Sequence, residues 1–218
     1  MSGRLGTREA DELIEQKLQR SMQLHDAMAQ TIGLDDDSLV IADLLGTDIA
    51  MASIGLSMEH GDSLLVLMAH GNPNTATATL RMQFESLLRG AWAIYAATEQ
   101  EIEALERELT AETDAQARKV AVYGDMLKAL RNESCQAPRG LVDEVGRVDQ
   151  VLRHGMNSFV HGGFQPLKHH SEGFPLSLAL QVIETSNAIS TMAAALFAAL
   201  IADEGQRMSR LNALIPEF

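Results

Sequence analysis

The chain has 218 residues, of which 46% are apolar and 22% are charged, and its formal net charge is −13. This composition excludes a disordered or collagen-like chain and suits one large or two small globular domains. The negative charge disfavours DNA or an anionic membrane as a partner of the whole surface. Cys135 is the single cysteine of the chain, which excludes an internal disulfide and a Cys-based zinc cluster.

The N-terminal residues have no apolar stretch behind their charges, so we predict no secretory signal and a cytoplasmic location. Two apolar runs can be tested as membrane spans. The run over residues 39–58 contains Asp43 and Asp48, and the run over residues 188–202 has only 15 residues. Both are therefore predicted to be buried core helices.

Strong helix formers fill the spaces between the first four of the five prolines. A first helix is predicted over residues 7–32, because apolar residues recur there at helical spacing along one side. A second, unusually apolar helix is predicted over residues 38–70. A third helix starts from a cap at Asn74 or Thr75 and runs through Ala97.

The second half of the chain has its own start and stop signals. Thr98 and Glu101 form a capping-box pattern, which predicts a fourth helix extending toward Leu130. A fifth helix over residues 141–160 is expected to stop at the paired glycines that follow, since glycine favours left-handed or extended backbone. The remaining predicted segments are a loop over residues 163–175, a sixth helix over residues 176–202 and a short helix ending at Leu214.

No segment alternates apolar and polar residues over the length of a strand, so the predicted fold is all-α, a bundle of about six to seven helices. No Gly/Ser-rich or charged linker divides the chain, which favours a single domain over residues 1–218. Within that domain, residues 1–37 form the N-terminal helix, residues 38–203 the core bundle and residues 204–218 the C-terminal tail.

The third predicted helix carries a charged stripe in an otherwise apolar sequence, LRMQFESLLRGAWAIYAA. Arg81, Glu85 and Arg89 follow each other at four-residue spacing, which places them on one side of a helix. Two interpretations are open. In the first, Glu85 joins both arginines in an internal ion-pair ladder. In the second, one arginine keeps spare donors and binds a phosphate or carboxylate. Trp92 lies near the same side, either as core or as a surface for stacking a ring.

A second polar cluster is the segment RHGMNSFVHGG. If the fifth helix is continuous, Arg153, Asn157 and His161 form a polar stripe at its end. Histidine exchanges protons near neutral pH, so His161 is a candidate general acid or base, with Asn157 and Arg153 beside it. The alternative is a histidine that only interacts with the helix dipole.

The histidines that follow invite a metal hypothesis, since His161, His169, His170 and Glu172 lie close in sequence. Their spacing matches no short ligand motif. We therefore predict no metal and no cofactor, and assign His169 to the ligand-binding residues together with Arg81, Glu85, Arg89 and Trp92.

The pairing of an Arg-x-x-x-Glu-x-x-x-Arg-x-x-Trp helix with a Ser-Phe-x-His-Gly-Gly helix end resembles a family of uncharacterised bacterial helical proteins. More distantly, it is similar to the HEPN superfamily, whose up-and-down helical bundles include metal-independent ribonucleases of toxin and antiphage systems. Those enzymes carry an Arg-x(4 to 6)-His motif near a dimer interface. Here seven residues separate Arg153 from His161. The resemblance implies a HEPN-like core with extra helices, a homodimer and a role in bacterial stress or defence.

Two functional hypotheses follow. The first is a helical binding or interaction protein, with an internal Arg/Glu/His site for a small anionic or nucleotide-like ligand. The alternative is a HEPN-like ribonuclease in which His161 acts on an RNA 2′-hydroxyl and Arg153 or Arg89 neutralises the phosphate.

Overall fold

The computed structural model describes residues 3–33, 39–153, 155–203 and 205–215. Over these residues the chain is all-α, as predicted, with eleven helices and two isolated β-bridges. The helices are α1 (Arg8–Ile32), α2 (Thr47–Ala69), α3 (Pro73–Tyr95), α4 (Glu99–Glu106), α5 (Ala111–Ala117), α6 (Tyr123–Leu130), α7 (Arg139–Arg153), α8 (Met156–Val160), α9 (Phe164–Glu172), α10 (Leu176–Leu200) and α11 (Gln206–Leu214).

Four long helices, α1, α2, α3 and α10, form the centre of the fold. The longest shared surface is between α2 and α3, while α10 packs against α1, α2 and α3 together. The sides that face each other carry large apolar residues that are at most 1% exposed, among them Leu64, Leu80, Phe84, Trp92 and Ile183. Each such side chain contributes about 2 kcal/mol on burial, so packing rather than helix propensity holds these helices together.

Among the described residues, α10 is the one helix whose length and composition would suit a membrane span. In this fold, 67% of its most apolar window is buried inside the protein. Its contacts with α1, α2 and α3 account for that burial. An all-round apolar sequence is what a helix surrounded by other helices requires.

A polar cluster lies inside the central helices, around Gln83 of α3. The Gln83 amide nitrogen donates to the Ser186 carbonyl oxygen at 3.1 Å and to Ser190 Oγ at 3.0 Å. The Gln83 side-chain oxygen, Oε1, accepts from Ser186 Oγ at 2.9 Å. The main-chain carbonyl oxygen of Gln83 accepts from Ser57 Oγ at 2.9 Å. The buried side chain of Gln83 therefore has partners for both its donor and its acceptor group, and it ties α3 to α10.

The first predicted helix is confirmed to within one residue, but the second begins at Thr47 rather than at residue 38, which lies outside the described residues. Instead, the chain before Thr47 pairs with the end of α10, where the Ala42 N–H donates to the Leu200 carbonyl oxygen. Gly46 then turns the chain with φ +79°, and a Cβ there would lie 2.5 Å from the Ala93 carbonyl oxygen. Only glycine meets both conditions.

The capping box at Thr98 is confirmed, because the Thr98 N–H donates to Glu101 Oε2 at 2.8 Å and Thr98 Oγ1 accepts from the Glu101 N–H. The prediction of one helix from there to Leu130 is wrong. The helix ends at Glu106, and a second capping box at Thr110 and Thr113 starts α5. Threonine hydroxyls compete for backbone amides, which favours several short helices over one long helix.

Two further predictions differ from the structure. α3 begins at Pro73 after Asn72, without a side-chain cap, so the predicted caps at Asn74 and Thr75 are wrong. Proline suits a first helical position because its missing N–H has no helical acceptor there. The predicted loop over residues 163–175 contains the helix α9.

Candidate functional site

The charged stripe of α3 forms only half of the predicted ion-pair ladder. Arg81 Nε donates to Glu85 Oε1 at 2.5 Å, and the Arg81 side chain is 16% exposed. Arg89 makes no hydrogen bond or ion pair with the described residues. Glu85 is therefore engaged by one arginine, and the guanidinium of the other keeps its donors.

Arg81 also joins a network that reaches α7. Its guanidinium carbon lies 3.8 Å from the centre of the Tyr123 ring, a cation–π contact. The Tyr123 hydroxyl donates to Asp149 Oδ1 at 2.5 Å, and the Arg131 guanidinium donates to Asp149 Oδ2 at 3.2 Å. Asp149 is 1% exposed, so this carboxylate is a buried charge that its partners stabilise.

Tyr123, Arg131 and Asp149 were not among the site residues predicted from the sequence. One signal was available, since Asp149 lies between Val148 and Leu152 on the side of α7 that is buried. A carboxylate on an apolar helix face needs a partner inside the protein. The identity of that partner depends on how α6 and α7 are each placed against α3, which local spacing does not give.

Arg89 is half-buried, and its surroundings set its chemistry. Burial lowers the pKa of the Arg89 guanidinium, and the charge of Glu85 offsets part of that change by raising the pKa. Desolvation without an acceptor destabilises the cation relative to water. An anion placed against Arg89 would restore the lost interactions.

Trp92 lies near Arg89 in sequence but in the core of the fold. It is 1% exposed, so its ring has no face open to solvent. The structure therefore uses Trp92 for packing between helices and leaves no accessible surface for stacking a base.

The predicted stripe of Arg153, Asn157 and His161 requires a continuous helix, and the structure interrupts that helix. α7 ends at Arg153, and α8 begins at Met156 after Gly155. The predicted helix over residues 141–160 is therefore wrong, and the side chain of Arg153 lies outside the described residues. Asn157 and His161 are one turn apart, both exposed, with no side-chain hydrogen bond to the part of the chain that is described.

His169 occupies a different place, in an aromatic cluster at α9. Its ring stacks on Phe159, with ring centres 5.9 Å apart, and lies 5.3 Å from the ring of Phe174. It lines a groove of about 1190 Å³ against α1 and the start of α3. Asp11, Glu15 and Asn74 also line this groove, and the buried Asn74 Oδ1 has no hydrogen-bond partner. Carboxylates and an unpaired acceptor suit a ligand with donor groups better than an anion.

A smaller cavity of about 350 Å³ adjoins the groove, between α1, α2 and α10. Neither of these two spaces is lined by Arg81, Arg89 or His161. Among the described residues, no hydrogen bond, ion pair or ring contact joins Arg81 or Arg89 to Asn157, His161 or His169, and neither cavity brings them together. In the described part of the chain, no three or more His, Cys, Asp or Glu residues are grouped so that they could hold a metal ion.

Many proteins are all-α and carry a charged stripe on a central helix. Comparison with known proteins identifies the family to which this chain belongs. Residues 54–218 match the model of DUF6988, a family of unknown function, and the chain belongs to that family. Comparison with curated proteins and with solved structures gave no match. α1 precedes the matched residues, so the family match covers the α3 arginines and His161 but not the α1 side of the two cavities.

Proposed function

We propose that this protein is a helical binding protein that holds a small anionic ligand, a phosphate or a carboxylate, at Arg89. One observation carries the proposal: Arg89 is half-buried and has no acceptor among the described residues. The guanidinium group offers five N–H donors in a planar fork, which matches the oxygens of either anion.

The neighbouring residues on α3 support this assignment. Glu85 accepts its hydrogen bond from Arg81, so its carboxylate does not use the donors of Arg89. Arg81 adds a second positive charge to the same side of the helix and is held in place by Tyr123. The proposed site therefore consists of Arg89, with Arg81 and Glu85 beside it, and does not include Trp92 or His169.

Calorimetric titration with inorganic phosphate, pyrophosphate and acetate tests the proposal. Arg89→Gln removes the fork and the charge, and we expect it to weaken anion binding about tenfold or more. Arg89→Lys keeps the charge without the fork, so its affinity should lie between the two. Arg139→Gln, at an exposed position of α7, changes net charge equally and should have no effect. Equal anion affinity in wild type and Arg89→Gln would contradict the proposal.

A second candidate function is a metal-independent ribonuclease, supported by the exposure of Asn157 and His161 at the end of α8. Neutral His161 would take the proton of an RNA 2′-hydroxyl while the 2′-oxygen attacks the adjacent phosphorus. The bond from phosphorus to the 5′-oxygen breaks, the 5′-oxygen takes a proton from water, and a 2′,3′-cyclic phosphate is left. Asn157 would orient the reacting group, and Arg153 or Arg89 would neutralise the phosphate. The resemblance to HEPN proteins favours a homodimer for this function, and we propose a cytoplasmic location.

Incubation of mixed RNA with the protein at low salt, with a chelator present, tests the second function. Cleavage that His161→Ala abolishes and His170→Ala leaves unchanged would support the ribonuclease. The same cleavage by wild type and His161→Ala, or intact RNA with wild type, would exclude His161 as its catalytic residue.

A further inference from the structure

The cavity of about 350 Å³ between α1, α2 and α10 opens to solvent beside Met22, which is 38% exposed, and combines sulfur, imidazole and carboxylate groups. The side chains that matter for its chemistry are one imidazole, three thioethers and two carboxylates: His25, Met22, Met28, Met58, Asp26 and Asp62. None of them belongs to the proposed anion site on α3.

One ring nitrogen of His25 has a hydrogen-bond partner and the other has none. Its side chain is 10% exposed, and its Nδ1 lies 2.7 Å from Asp62 Oδ1. A carboxylate only accepts, so Nδ1 carries the hydrogen and Nε2 of the neutral ring keeps a lone pair. Nε2 is buried and has no hydrogen-bond partner. An acceptor left in this state destabilises the fold unless another group uses the lone pair.

The same arrangement is typical of histidines that bind metal ions. Such a histidine usually donates its second ring N–H to a carboxylate, which fixes the tautomer and the direction of the ring. Asp62 supplies this carboxylate from α2. Gly61 leaves the ring room, because a Cβ at that position would lie 3.4 Å from His25 Cε1.

The thioethers determine which ion suits the cavity. Met22 and Met28 lie three residues before and after His25 on α1, and Met58 lies one turn before Asp62 on α2. Met28 is 3% exposed, and its sulfur accepts one hydrogen bond from Thr191 Oγ1 at 3.7 Å, which leaves a second lone pair. Thioethers are soft ligands that select Cu(I), and imidazole binds copper as well.

We propose that this cavity binds one Cu(I) ion through His25 Nε2 and the sulfurs of Met22, Met28 and Met58, with Asp62 as a positioning residue. The four ligands are neutral, and the charge of the ion is balanced by Asp62 and by Asp26, which also lines the cavity. Harder divalent ions find no alternative site, since the described residues form no group of three or more His, Cys, Asp or Glu that could hold one.

Titration of the full chain with Cu(I), under oxygen-free conditions and in competition with a coloured Cu(I) chelator, tests this proposal. We expect one equivalent to bind. Met58→Leu keeps the packing volume and should weaken Cu(I) binding about tenfold or more, as should His25→Gln. Asp62→Asn, which weakens the orientation of the ring, should cost about tenfold. Met82→Leu, at an exposed methionine of α3, is the matched control and should bind as wild type does.

Three results would overturn the proposal. The first is no Cu(I) binding by wild type, and the second is a Cu(I) affinity that is the same in wild type, Met58→Leu and His25→Gln. The third is Zn(II) binding that is tighter than Ag(I) binding, because Ag(I) is the redox-inert test of soft ligands. If His25→Gln fails to fold, Met58→Leu alone decides. Arg89→Gln should bind Cu(I) normally, which separates this test from that of the anion site.

Discussion

Two polar residues on different sides of α3 differ in their hydrogen-bond partners. Gln83 faces the core, and its side chain donates to and accepts from residues of α10. Arg89, six residues later, is half-buried and has no acceptor in the described part of the chain. The first side shows a polar group used to fix how helices pack. The second shows a charge whose interactions are completed from outside, by solvent or by a ligand.

Removal of Gln83 should give the largest effect, because its loss leaves several buried groups unpaired. We expect Gln83→Ala to lower the free energy of unfolding by about 3 kcal/mol, from the cavity and from the unpaired hydroxyls of Ser186 and Ser190. Urea denaturation measures this change. Gln181→Ala, at an exposed site of α10, should change stability by less than about 0.5 kcal/mol. Equal effects would show that the cluster does not stabilise the packing.

Asp149 is a buried charge that, unlike Arg89, has partners inside the protein, and it is joined to Arg81 through Tyr123. Asp149→Asn removes the charge that Arg131 and Tyr123 stabilise, and should lower the free energy of unfolding by about 2 kcal/mol. Asp143→Asn, exposed on the same helix, is the control. A loss that is no larger than the control's would mean that the buried carboxylate contributes nothing net to stability.

Two glycines of α2 test how closely the core side is packed. A Cβ at Gly61 would lie 2.8 Å from Gln83 Nε2 and 2.9 Å from Ser190 Oγ, whereas a Cβ at Gly55 would contact nothing within 4 Å. Gly61→Ala should therefore destabilise the protein by about 1–2 kcal/mol. Gly55→Ala should stabilise it by about 0.5–1 kcal/mol through helix propensity. Thermal unfolding of the pair should give shifts of opposite sign.

Substitution of Arg81 or Arg89 should give the smallest changes in the free energy of unfolding, and the difference between the two substitutions is informative. Arg89→Met removes a desolvated cation without an acceptor, so stability should stay within about 0.5 kcal/mol of wild type or rise. Arg81→Met loses the contacts with Glu85 and Tyr123 and should cost about 1 kcal/mol. A larger loss for Arg89→Met than for Arg81→Met, measured by urea denaturation, would mean that Arg89 has a structural partner.

The features that were predicted correctly are those that local sequence determines. The periodicity of residues 7–32, the capping box at Thr98 and the four-residue spacing of Arg81 and Glu85 all depend on neighbours along one helix. The features that were missed join different helices: Gln83 with Ser190, Tyr123 with Asp149, and His25 with Asp62. These pairs depend on how helices pack, and the residue spacing within one helix does not fix that.

The break between α7 and α8 also shows what residue spacing cannot predict, since here the spacing indicated a continuous helix that the structure does not form. Spacing alone placed Arg153, Asn157 and His161 on one helix, yet α7 ends at Arg153 and a separate helix begins at Met156. Glycine lowers helix stability by about 1 kcal/mol relative to alanine, so packing against neighbouring helices decides whether the helix continues. In this fold α8 packs on α3 instead of extending α7.

Binding of an anion by the Arg89 guanidinium is tested most directly by observing the Arg89 side chain itself. Nitrogen-15 NMR spectra of the arginine Nε–H groups, with Arg89→Lys to assign the Arg89 signal, can be recorded during titration with inorganic phosphate. We expect the Arg89 Nε–H signal to shift until the site is saturated and to exchange more slowly with water, while the signal of exposed Arg139 stays in place. An Arg89 signal that does not respond to phosphate, or that already has the slow exchange of a paired guanidinium, would contradict it.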